Sequence, residues 1–499
     1  MKTKIAEELP YLPEGWAWGT LEECVDILDR QRIPINAKER KARIRGKPPS
    51  ELYPYYGATG QVGWIDDFLF DEELVLLGED GAPFLDAFED KAYIIRGKSW
   101  VNNHAHVLRA LKELMLNSFL CHYLNTFAYQ DYVTGTTRFK LNQSRMRNIP
   151  VPIPPLSEQQ RIVSKIEELF TKLDAGVKSL KNVKTQLQRY RQVVLKYAFE
   201  GKLTEEWRKT HKDQMELVQK FEEPTGEEQK KNEGGKPKES FLTDLSDLYE
   251  LPTNWMWIRL GDITESMKNG IYKPKRFYRD DGIACLRMYN IKNGAIVWKD
   301  IKRMILTSEE AQAYELKIGD ILVNRVNSRE LVGKAAVIPE GLETCVYESK
   351  NIRLRLFVNF VDSKYVNFWF QVFRQKYFDR HAQQTVGMAS INQEQLSSMP
   401  VPLSPLHEQC KIVEEIEHSF SIVNQIEKSV NHSTMQAEKL RQAVLKRAFR
   451  GKLVPQDPTD EPAEKLLERI NERKKGNTEE KTRKGESDLK QVELMRYTK

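Results

Sequence analysis

The sequence predicts an α+β fold: two α+β domains joined by two long antiparallel helices, a coiled-coil spacer, in a pseudo-twofold tandem duplication. Residues 150–203 align with residues 400–453 without a gap, and 25 of the 54 aligned positions are identical. A second repeat pairs LPEGWAWGTL at 12–21 with LPTNWMWIRL at 251–260. The stretches inside this frame mix strand and helix patterns and share little sequence with each other. Internal repeats identify a duplicated architecture before any single element does.

Each copy of the 54-residue repeat predicts one long helix. In the first copy a proline run precedes Ser157 and Gln160, which match the N-cap and third helical position of a capping box. The second copy has His407 in place of the serine. Gly201 and Gly451 stand where a left-handed C-terminal cap is needed. A helix of about 42 residues would be roughly 63 Å long at 1.5 Å per residue.

Apolar residues recur in both helices at alternating steps of four and three. This spacing predicts a supercoiled helix pair, with each helix burying its seam against the other. The alternative is that each helix packs separately on its own domain. The seam positions are Ile162, Ile166, Leu169, Leu173, Gly176, Leu180, Val183, Leu187, Tyr190 and Val194, then Ile412, Ile416, Ser419, Val423, Ile426, Val430, Ser433, Ala437, Leu440 and Val444.

The frame divides the chain into six segments. Strand-like apolar runs such as EELVLLG and GDILVNRV alternate with helical patterns in both inserts, which indicates α+β domains. The stretches between and after the helices are too polar and charged to order themselves. The predicted segments are the first α+β domain at 1–150, the first helix at 151–203, a charged flexible linker at 204–250, the second α+β domain at 251–400, the second helix at 401–453, and a short helix with a disordered charged tail at 454–499.

The formal net charge of +6 is unevenly distributed. The linker carries −5 and the tail zero, so the remaining body carries +11, a balance that is compatible with nucleic acid but does not require it. Five scattered cysteines favour a reduced, cytoplasmic protein over a disulfide framework or a zinc site. We expect no signal peptide and no membrane partner, because neither an apolar leader nor a run of 18 apolar residues is found.

Basic and aromatic residues cluster in the first insert, around RQRIPINAKERKARIRGK at 30–47 and the following YYGATG. A basic loop beside aromatic and small residues suits phosphate contact and base-edge recognition. The alternative is a solvated charged loop, or for the later GTTRFKLNQ at 135–143 an ordinary connection to the helix. The candidate DNA-binding residues are Arg30, Arg32, Lys38, Arg40, Lys41, Arg43, Tyr55, Tyr56, Thr59, Arg138 and Lys140.

The second insert has two comparable stretches, MKNGIYKPKRFYR at 267–279 and NRVNSR at 324–329. Arginine and asparagine side chains can make bidentate contacts with base edges. The loop GMASINQ at 387–393 precedes the second helix as GTTRFKLNQ precedes the first, with the same ordinary alternative. The candidates here are Lys268, Tyr272, Lys273, Lys275, Arg276, Arg325, Asn327 and Arg329.

Motifs for catalysis and metal binding are mostly missing. There is no phosphate-binding loop, no G-x-G-x-x-G, and no Asn-Pro-Pro-aromatic or Asp-Pro-Pro-aromatic tetrad, so we do not expect an enzyme. Glu348 and Lys350 resemble half of a nuclease E-x-K motif, but a surface strand is the favoured interpretation. His104 and His106, followed by Cys121-His122, lack a second closely spaced ligand pair, so buried hydrogen-bonded histidines are favoured over a metal site.

The chain resembles the specificity (S) subunits of Type I restriction-modification systems over about residues 12–470. The resemblance lies in the paired LPEGWAW and LPTNWMW motifs, YYGATGQVGWIDDFLFDEELVLLGEDGA at 55–82, VNNHAHVLR at 101–109, and the twin helices P-L-x-E-Q-x-x-I-V…LK-x-AF-x-GKL. The order of these parts is specific to the family.

The resemblance implies two target-recognition domains that each bind one half of a bipartite, asymmetric site in double-stranded DNA. It implies no catalytic residue and no cofactor on this chain. Two methyltransferase (M) subunits would carry S-adenosylmethionine and methylate adenine N6, and restriction (R) subunits would cut, with Mg2+ and ATP bound by the partners. Two alternatives remain: a self-sufficient DNA methyltransferase or nuclease, and a coiled-coil protein-interaction adaptor.

Overall fold

The computed structural model describes residues 9–212, 248–385, 387–470 and 472. The chain forms two compact units, one of Met1–Lys181 with Asn431–Lys499 and one of Asn182–Val430. Each unit contains one α+β domain and part of each long helix. Most of the predicted linker (213–247) and of the predicted disordered tail (473–499) lies outside the described residues.

The first domain has twelve short strands and four helices among its described residues. The strands are β1 Ala17–Thr20, β2 Val25–Ile27, β3 Tyr53–Gly57, β4 Gly60–Ile65, β5 Phe70–Asp71, β6 Leu74–Gly78, β7 Ala92–Ile95, β8 Lys98–Val101, β9 Ala105–Ala110, β10 Val133–Thr134, β11 Lys140–Leu141 and β12 Pro150–Ile153. The helices are α1 Leu21–Cys24, α2 Ala37–Ile44, α3 Asn117–Thr126 and α4 Gln143–Met146.

The long helix α5 Leu156–Phe199 and the short α6 Glu205–Thr210 follow, and then the second domain. Its strands are β13 Met256–Arg259, β14 Thr264–Asn269, β15 Tyr278–Leu286, β16 Ile291–Lys292, β17 Ala295–Ile296, β18 Lys302–Met304, β19 Ile321–Asn324, β20 Val326–Asn327, β21 Ala335–Val337, β22 Cys345–Tyr347, β23 Asn351–Leu356, β24 Gln383–Thr385, β25 Met388–Ser390 and β26 Pro400–Leu403. Its helices are α7 Ser308–Tyr314, α8 Ser363–His381 and α9 Gln393–Ser397, followed by the long α10 Leu406–Ala448. A last helix covers 463–470, which confirms the predicted short helix after the second long one.

The two repeated motifs of each half are strand partners. β1 pairs antiparallel with β12, so the tryptophan motif lies beside the proline run that leads into α5. β13 pairs with β26 in the same way, in front of α10. In both halves the tryptophan of the motif donates to a buried glutamate in the first turn of the long helix: Trp16 Nε1 to Glu158 at 3.0 Å, and Trp255 Nε1 to Glu408 at 2.9 Å. The duplicated sequence therefore builds a duplicated base for each domain.

The two inserts share a sheet order despite their unlike sequences. The first domain has a four-stranded antiparallel sheet in the order β2-β9-β6-β7, and the second has β14-β23-β19-β21. Beside it, β3 pairs in parallel with β8 in the first domain, and β15 pairs in parallel with β22 in the second. The predicted α+β class is correct. The inserts differ in their smaller sheets, which are β4-β3-β8-β5 and β10-β11 in the first domain and β18-β15-β22, β16-β17 and β20-β25-β24 in the second.

The ends of the long helices complete the core of each domain. In the first unit, Ile162 and Ile166 of α5 and Val444 of α10 belong to the cluster around α3. In the second unit, Phe199 of α5 and Ile412 of α10 belong to the cluster around α8. The start of α5 therefore lies beside the end of α10 in one unit, and the end of α5 lies beside the start of α10 in the other.

The two helices consequently run antiparallel, as predicted, and they also pack on the domains. Arg441 lies 4.3 Å from the ring centre of Phe170 and forms an ion pair with Asp174. In the second unit Arg191 lies 4.8 Å from the ring centre of Phe420. Both interpretations of the apolar seam are thus partly correct.

Two details of the predicted helices are wrong, and a third is correct. α5 begins at Leu156, and Gln159 N donates to Pro155 O at 2.9 Å, so Ser157 lies inside the first turn and is not the N-cap. Tyr190, Ile426 and Leu440 of the predicted seam are exposed. A seam repeating every 3.5 residues drifts by about 20° per heptad around a straight helix of 3.6 residues per turn, so parts of it leave the partner. Gly201 and Gly451 do adopt left-handed φ values of +69° and +62°.

No helix within the described ranges combines the length and the apolar character that crossing a membrane requires.

Candidate nucleic-acid interface

A cleft of about 640 Å3 opens in the first domain beside the turn between β3 and β4. Its walls are that turn, the loop after β6, the loop before β9 and the segment between β10 and β11. The side chains on these walls include Thr59, Val62, Asp80, Asn102, His104 and Arg138. Thr59 and Arg138 came from separate candidate stretches of the sequence, and the fold brings both to one cleft.

Backbone hydrogen bonds hold the loop after β6 between its two neighbours. Glu79 N donates to His104 O at 2.7 Å, and Leu141 N donates to Glu79 O at 2.7 Å. Gly81 has φ +74°, and a Cβ there would lie 3.3 Å from Arg138 Nε. Glycine at this position therefore gives both the left-handed backbone and the room for the arginine.

One carboxylate oxygen organises the polar side of the cleft. Asp80 Oδ1 accepts from Arg138 Nη2 at 2.6 Å and lies 2.7 Å from His104 Nδ1. The Arg138 side chain is nevertheless 63% exposed. Asp80 thus fixes an exposed cation and a partly exposed imidazole at the cleft.

The turn between β3 and β4 is supported from beneath by Tyr93. Its hydroxyl donates to Gly57 O at 2.5 Å. Burial raises the pKa of Tyr93 well above its usual range, so the hydroxyl stays protonated and remains a donor. Tyr56 lies next to Tyr93, with ring centres 6.0 Å apart, whereas Tyr55 is buried in the core and donates to Ile35 O at 3.3 Å.

The stretch predicted as a basic loop contains helix α2. Asn36 caps it by accepting from Glu39 N at 2.9 Å, and its Ala, Lys, Glu and Arg residues are good helix formers. Lys38 and Lys41 are exposed on it. Arg40 instead stacks 4.7 Å over the Tyr55 ring, and Arg43 binds Asp66 at 2.6 Å and lies over Trp100. Two of its four candidate cations are therefore part of the packing.

Arg32 lies in an internal ion network below the cleft. Its Nη1 is 2.8 Å from Glu79 and donates to Ala105 O at 2.6 Å. The prediction of buried, hydrogen-bonded histidines is correct for His106, which is buried and bonds Asp29 at 2.6 Å. It is wrong for His104, which bonds Asp80 but has a side chain that is 40% exposed. Burial of Asp29 opposes its ionisation, but His106, the Val107 amide and Arg32 together outweigh this and keep the pKa of Asp29 below its usual value.

The ligand atoms of Asp29, Glu79 and His106 lie within 4.8 Å of one another, a spacing that could hold a metal ion. The Arg32 guanidinium already provides a cation there, and Lys140 Nζ lies 3.4 Å from Glu79. Arg30, by contrast, is exposed in the turn Asp29–Gln31. Of these three basic candidates, only Arg30 has its side chain directed to solvent without a described ion pair.

The second domain repeats the backbone arrangement of the cleft with different side chains. Arg325 N donates to Lys350 O at 2.7 Å, and Ile391 N donates to Arg325 O at 3.0 Å. Arg325 therefore takes the position of Glu79, between the same two neighbouring segments. Its Nε is buried and has no hydrogen-bond partner among the described residues. The predicted stretches NRVNSR and GMASINQ thus lie side by side.

Other candidates of the second domain divide into those without and those with a protein partner. Tyr272 is 77% exposed, and Lys275 and Arg276 are also exposed. Arg329 is exposed as well, but it binds Asp379 at 2.9 Å. Lys268 Nζ donates to Ala313 O at 2.9 Å, Lys273 binds Glu310 at 2.5 Å, and Asn327 is buried and donates to Asn324 at 2.6 Å. Asn324 in turn donates to Asn351 at 3.0 Å, which completes a buried chain of amides.

A known protein family matches both halves of the chain. The family model for the Type I restriction modification DNA specificity domain matches residues 13–185 and 252–432. The chain belongs to the Type I restriction-modification specificity family.

Individual members of the family extend this similarity over most of the chain. The EcoDI specificity subunit of Escherichia coli is 25% identical over 473 residues, covering 92% of this chain and 95% of that protein. The EcoKI specificity subunit of Escherichia coli K12 is 27% identical over 378 residues, 73% of each chain. The fold matches a solved chain from a study of complex assembly and conformational transition of the type I R-M system. That match has a TM-score of 0.60 at 18% identity and covers 89% of this chain and 100% of the other.

In this specificity-family chain, several residues of the cleft were not predicted from the sequence. Asp80 and Asn102 lie within the stretches that carry the family resemblance, but neither is among the DNA-binding candidates. Tyr93 lies in an apolar strand, and only the fold brings these three residues to one cleft. Glu348 was expected on a surface strand, and this is wrong: it is buried, accepts from Arg287 Nε at 2.8 Å and from Met288 N at 3.0 Å. A carboxylate that bonds both an arginine and a backbone amide is a structural group, so nothing links it to a nuclease motif.

Proposed function

We propose that this chain is the DNA-recognition subunit of a Type I restriction-modification complex, with each α+β domain binding one half of a bipartite, asymmetric site in double-stranded DNA. In this proposal the subunit carries no catalytic residue or cofactor. Partner M subunits, two per complex, bind S-adenosylmethionine and methylate adenine N6, and R subunits use Mg2+ and ATP for restriction. The alternatives are a self-sufficient methyltransferase or nuclease and a protein-binding adaptor.

One observation carries the proposal: the two domains share a scaffold but differ in the side chains at equivalent loops. Where the loop after β6 has Glu79, the equivalent loop after β19 has Arg325. In the first domain Asp80, the next residue, binds His104 and Arg138. Direct base readout depends on the identity and position of such groups. Two different sets of side chains on a common scaffold suit two different DNA half-sites. An adaptor or a single catalytic site would not need such a pair.

The test is methylation mapping in cells that express this chain with its M subunits. Single-molecule sequencing should report a split motif with two defined halves and a fixed gap. Replacing residues 12–150 with the corresponding domain of another family member should change one half and leave the other. A continuous motif, or no modification by a demonstrably assembled complex, would contradict the proposal.

Two biochemical measurements separate the alternatives. Methyl transfer by the purified chain alone, followed with tritiated S-adenosylmethionine, would support a self-sufficient enzyme. The recognition proposal expects none without M subunits. It also expects the logarithm of the DNA affinity of the complex to fall linearly with the logarithm of the salt concentration, with a slope of about −0.9 per phosphate contacted. An adaptor would show no such salt-dependent DNA affinity.

A further inference from the structure

We propose that Arg138, His104 and Thr59 are the base-reading side chains of the first domain, that Asp80 is their positioning residue, and that the base pair they read contains guanine. This inference rests on the proposed function and specifies the site and chemistry of one half-site. His104 and Asp80 lie in stretches that carry the family resemblance, but the sequence does not make either a DNA-binding candidate.

The geometry around Asp80 is the first argument. Its Oδ1 is 2.6 Å from Arg138 Nη2 and 2.7 Å from His104 Nδ1, so one atom orients both side chains. Arg138 Nε and Nη1 and His104 Nε2 have no hydrogen-bond partner in the ranges that the structure describes. The guanidinium is therefore anchored at one nitrogen and retains donors for a ligand.

The exposure of this group is the second argument. The Arg138 side chain is 63% exposed, and exposed ion pairs contribute little to the free energy of unfolding. The Arg138–Asp80 ion pair therefore contributes little to folding, which leaves ligand binding as its role. Arg138 also needs Gly81, where a side chain would approach its guanidinium to 3.3 Å. The loop thus accommodates an arginine whose contribution to stability is small.

The surroundings of the cleft suit a nucleic acid edge. Gly57 and Gly81 lie on its walls, and residues without side chains let a ligand approach the backbone closely. Thr59 stands at the exposed tip of the β3–β4 turn. Val62 joins the cleft to α2, because Arg40 Nη1 donates to Val62 O at 3.5 Å. The exposed Lys38 and Lys41 of that helix can bind phosphates while the cleft contacts bases.

The chemistry of the donors indicates guanine. The guanidinium fork matches the O6 and N7 acceptors of guanine in the major groove, the commonest specific contact of arginine with DNA. Fixing the arginine through Asp80 reduces the conformational entropy lost on binding. With Nδ1 held by Asp80, His104 presents Nε2, and Thr59 presents a hydroxyl, each able to contact the neighbouring base edge.

The experiment compares methylation motifs and DNA affinities of assembled complexes carrying Arg138→Ala, Arg138→Lys, His104→Ala or Asp80→Ala. We expect Arg138→Ala to relax one guanine in one half-site, lowering its discrimination there about 5- to 150-fold. Arg138→Lys keeps the charge but loses the fork, so it should relax the same position. Asp80→Ala should act in the same direction and more weakly, since it removes only the positioning.

Arg96→Ala is the matched control, because Arg96 is a 71% exposed arginine paired with Glu73 at 2.9 Å elsewhere in this domain. It should leave motif and affinity unchanged. If Arg138→Ala does not assemble with its partners, Arg138→Lys decides the question. A first half-site without guanine, or unchanged motifs in both Arg138 variants, would overturn the inference. Replacement of residues 12–150 would still change one half in that case, whereas failure of that replacement too would contradict the proposed function.

Discussion

At the residue scale, the duplicated glutamates Glu158 and Glu408 have acquired different surroundings. Each accepts from the tryptophan of its own repeat through Oε2. Glu408 Oε1 also accepts from Thr204 at 2.7 Å and from Arg208 at 2.8 Å, whereas Glu158 Oε1 is buried without a described partner. Burial raises the pKa of Glu158. Glu408 is therefore an ion-pair member with both oxygens hydrogen-bonded, whereas Glu158 is a buried carboxylate with one oxygen that has no described partner.

This contrast predicts unequal effects of one substitution. Glu408→Gln should lower the free energy of unfolding of the second unit by about 3 kcal/mol, since it leaves the half-buried Arg208 without its counter-charge. Glu158→Gln should change that of the first unit by less than about 1 kcal/mol, because it removes a buried charge that has no cation bonded to its free oxygen. Hydrogen exchange resolved by peptide measures both units in one sample. Equal losses in the two variants would contradict the interpretation.

His122 predicts how the first unit responds to acid. It packs edge-on against Phe170, with ring centres 5.8 Å apart, and burial with the nearby Arg441 charge lowers the pKa of His122 to about 4. The unfolded chain binds the proton near pH 6.5. The contribution of neutral His122 to the free energy of unfolding is therefore fully present above pH 6.5. It is lost as the pH falls towards 4, which lowers the free energy of unfolding by about 1–3 kcal/mol. His122→Gln should flatten this pH dependence of unfolding, and an unchanged slope would show that other groups cause it.

At the element scale, the basic residues of α2 fall into two groups, one packed on the domain and one exposed. The stretch 30–47, which contains α2, has eight basic residues, and the sequence does not show which of them have partners in the fold. Arg40 and Arg43 are fixed by Tyr55, Trp100 and Asp66, so changing them disturbs the domain itself. Lys38 and Lys41 are exposed and can be changed without that cost.

The double variant Lys38→Ala, Lys41→Ala should therefore weaken DNA binding by the complex without altering its methylation motif. Each lost phosphate contact should reduce the slope of log affinity against log salt by about 1. Arg43→Ala is the contrasting variant, because it should lower the melting temperature of the first unit as well. An altered motif in the double lysine variant would mean that α2 contacts bases.

The repeated frame could be predicted from sequence because each of its signals is local. Proline runs, C-terminal glycines and a 3.5-residue apolar spacing depend on neighbours within a few turns. The shared sheet order could not be predicted, because Tyr55 pairs with Trp100, and Ala284 with Cys345, across long stretches of unlike sequence. The same holds for Arg32 and Asn327, whose partners Glu79 and Asn324 only the fold identifies.

At the scale of the whole molecule, each unit combines distant parts of the chain. The segment after α10 packs on the first domain: Ala463 N donates to Gly15 O at 2.9 Å, and Arg161 binds Asp460 at 2.6 Å. The segment after α5 packs on the base of the second domain through Arg208 and Glu408. In both halves, the residues that follow one long helix complete the domain built on the other.

This exchange predicts that truncation after Leu453 destabilises the first unit alone. It removes Ala463 and Leu466, which are buried in the core of that domain, and the Arg161 partner Asp460. Burial of two to three aliphatic side chains contributes about 3–6 kcal/mol, so hydrogen exchange should accelerate throughout the first domain and stay unchanged in the second. Truncation after Glu472 is the control and should leave both units as they are. Equal acceleration in both units would contradict a stabilisation confined to the first unit. No acceleration would mean that the first domain is stable without the segment that follows α10.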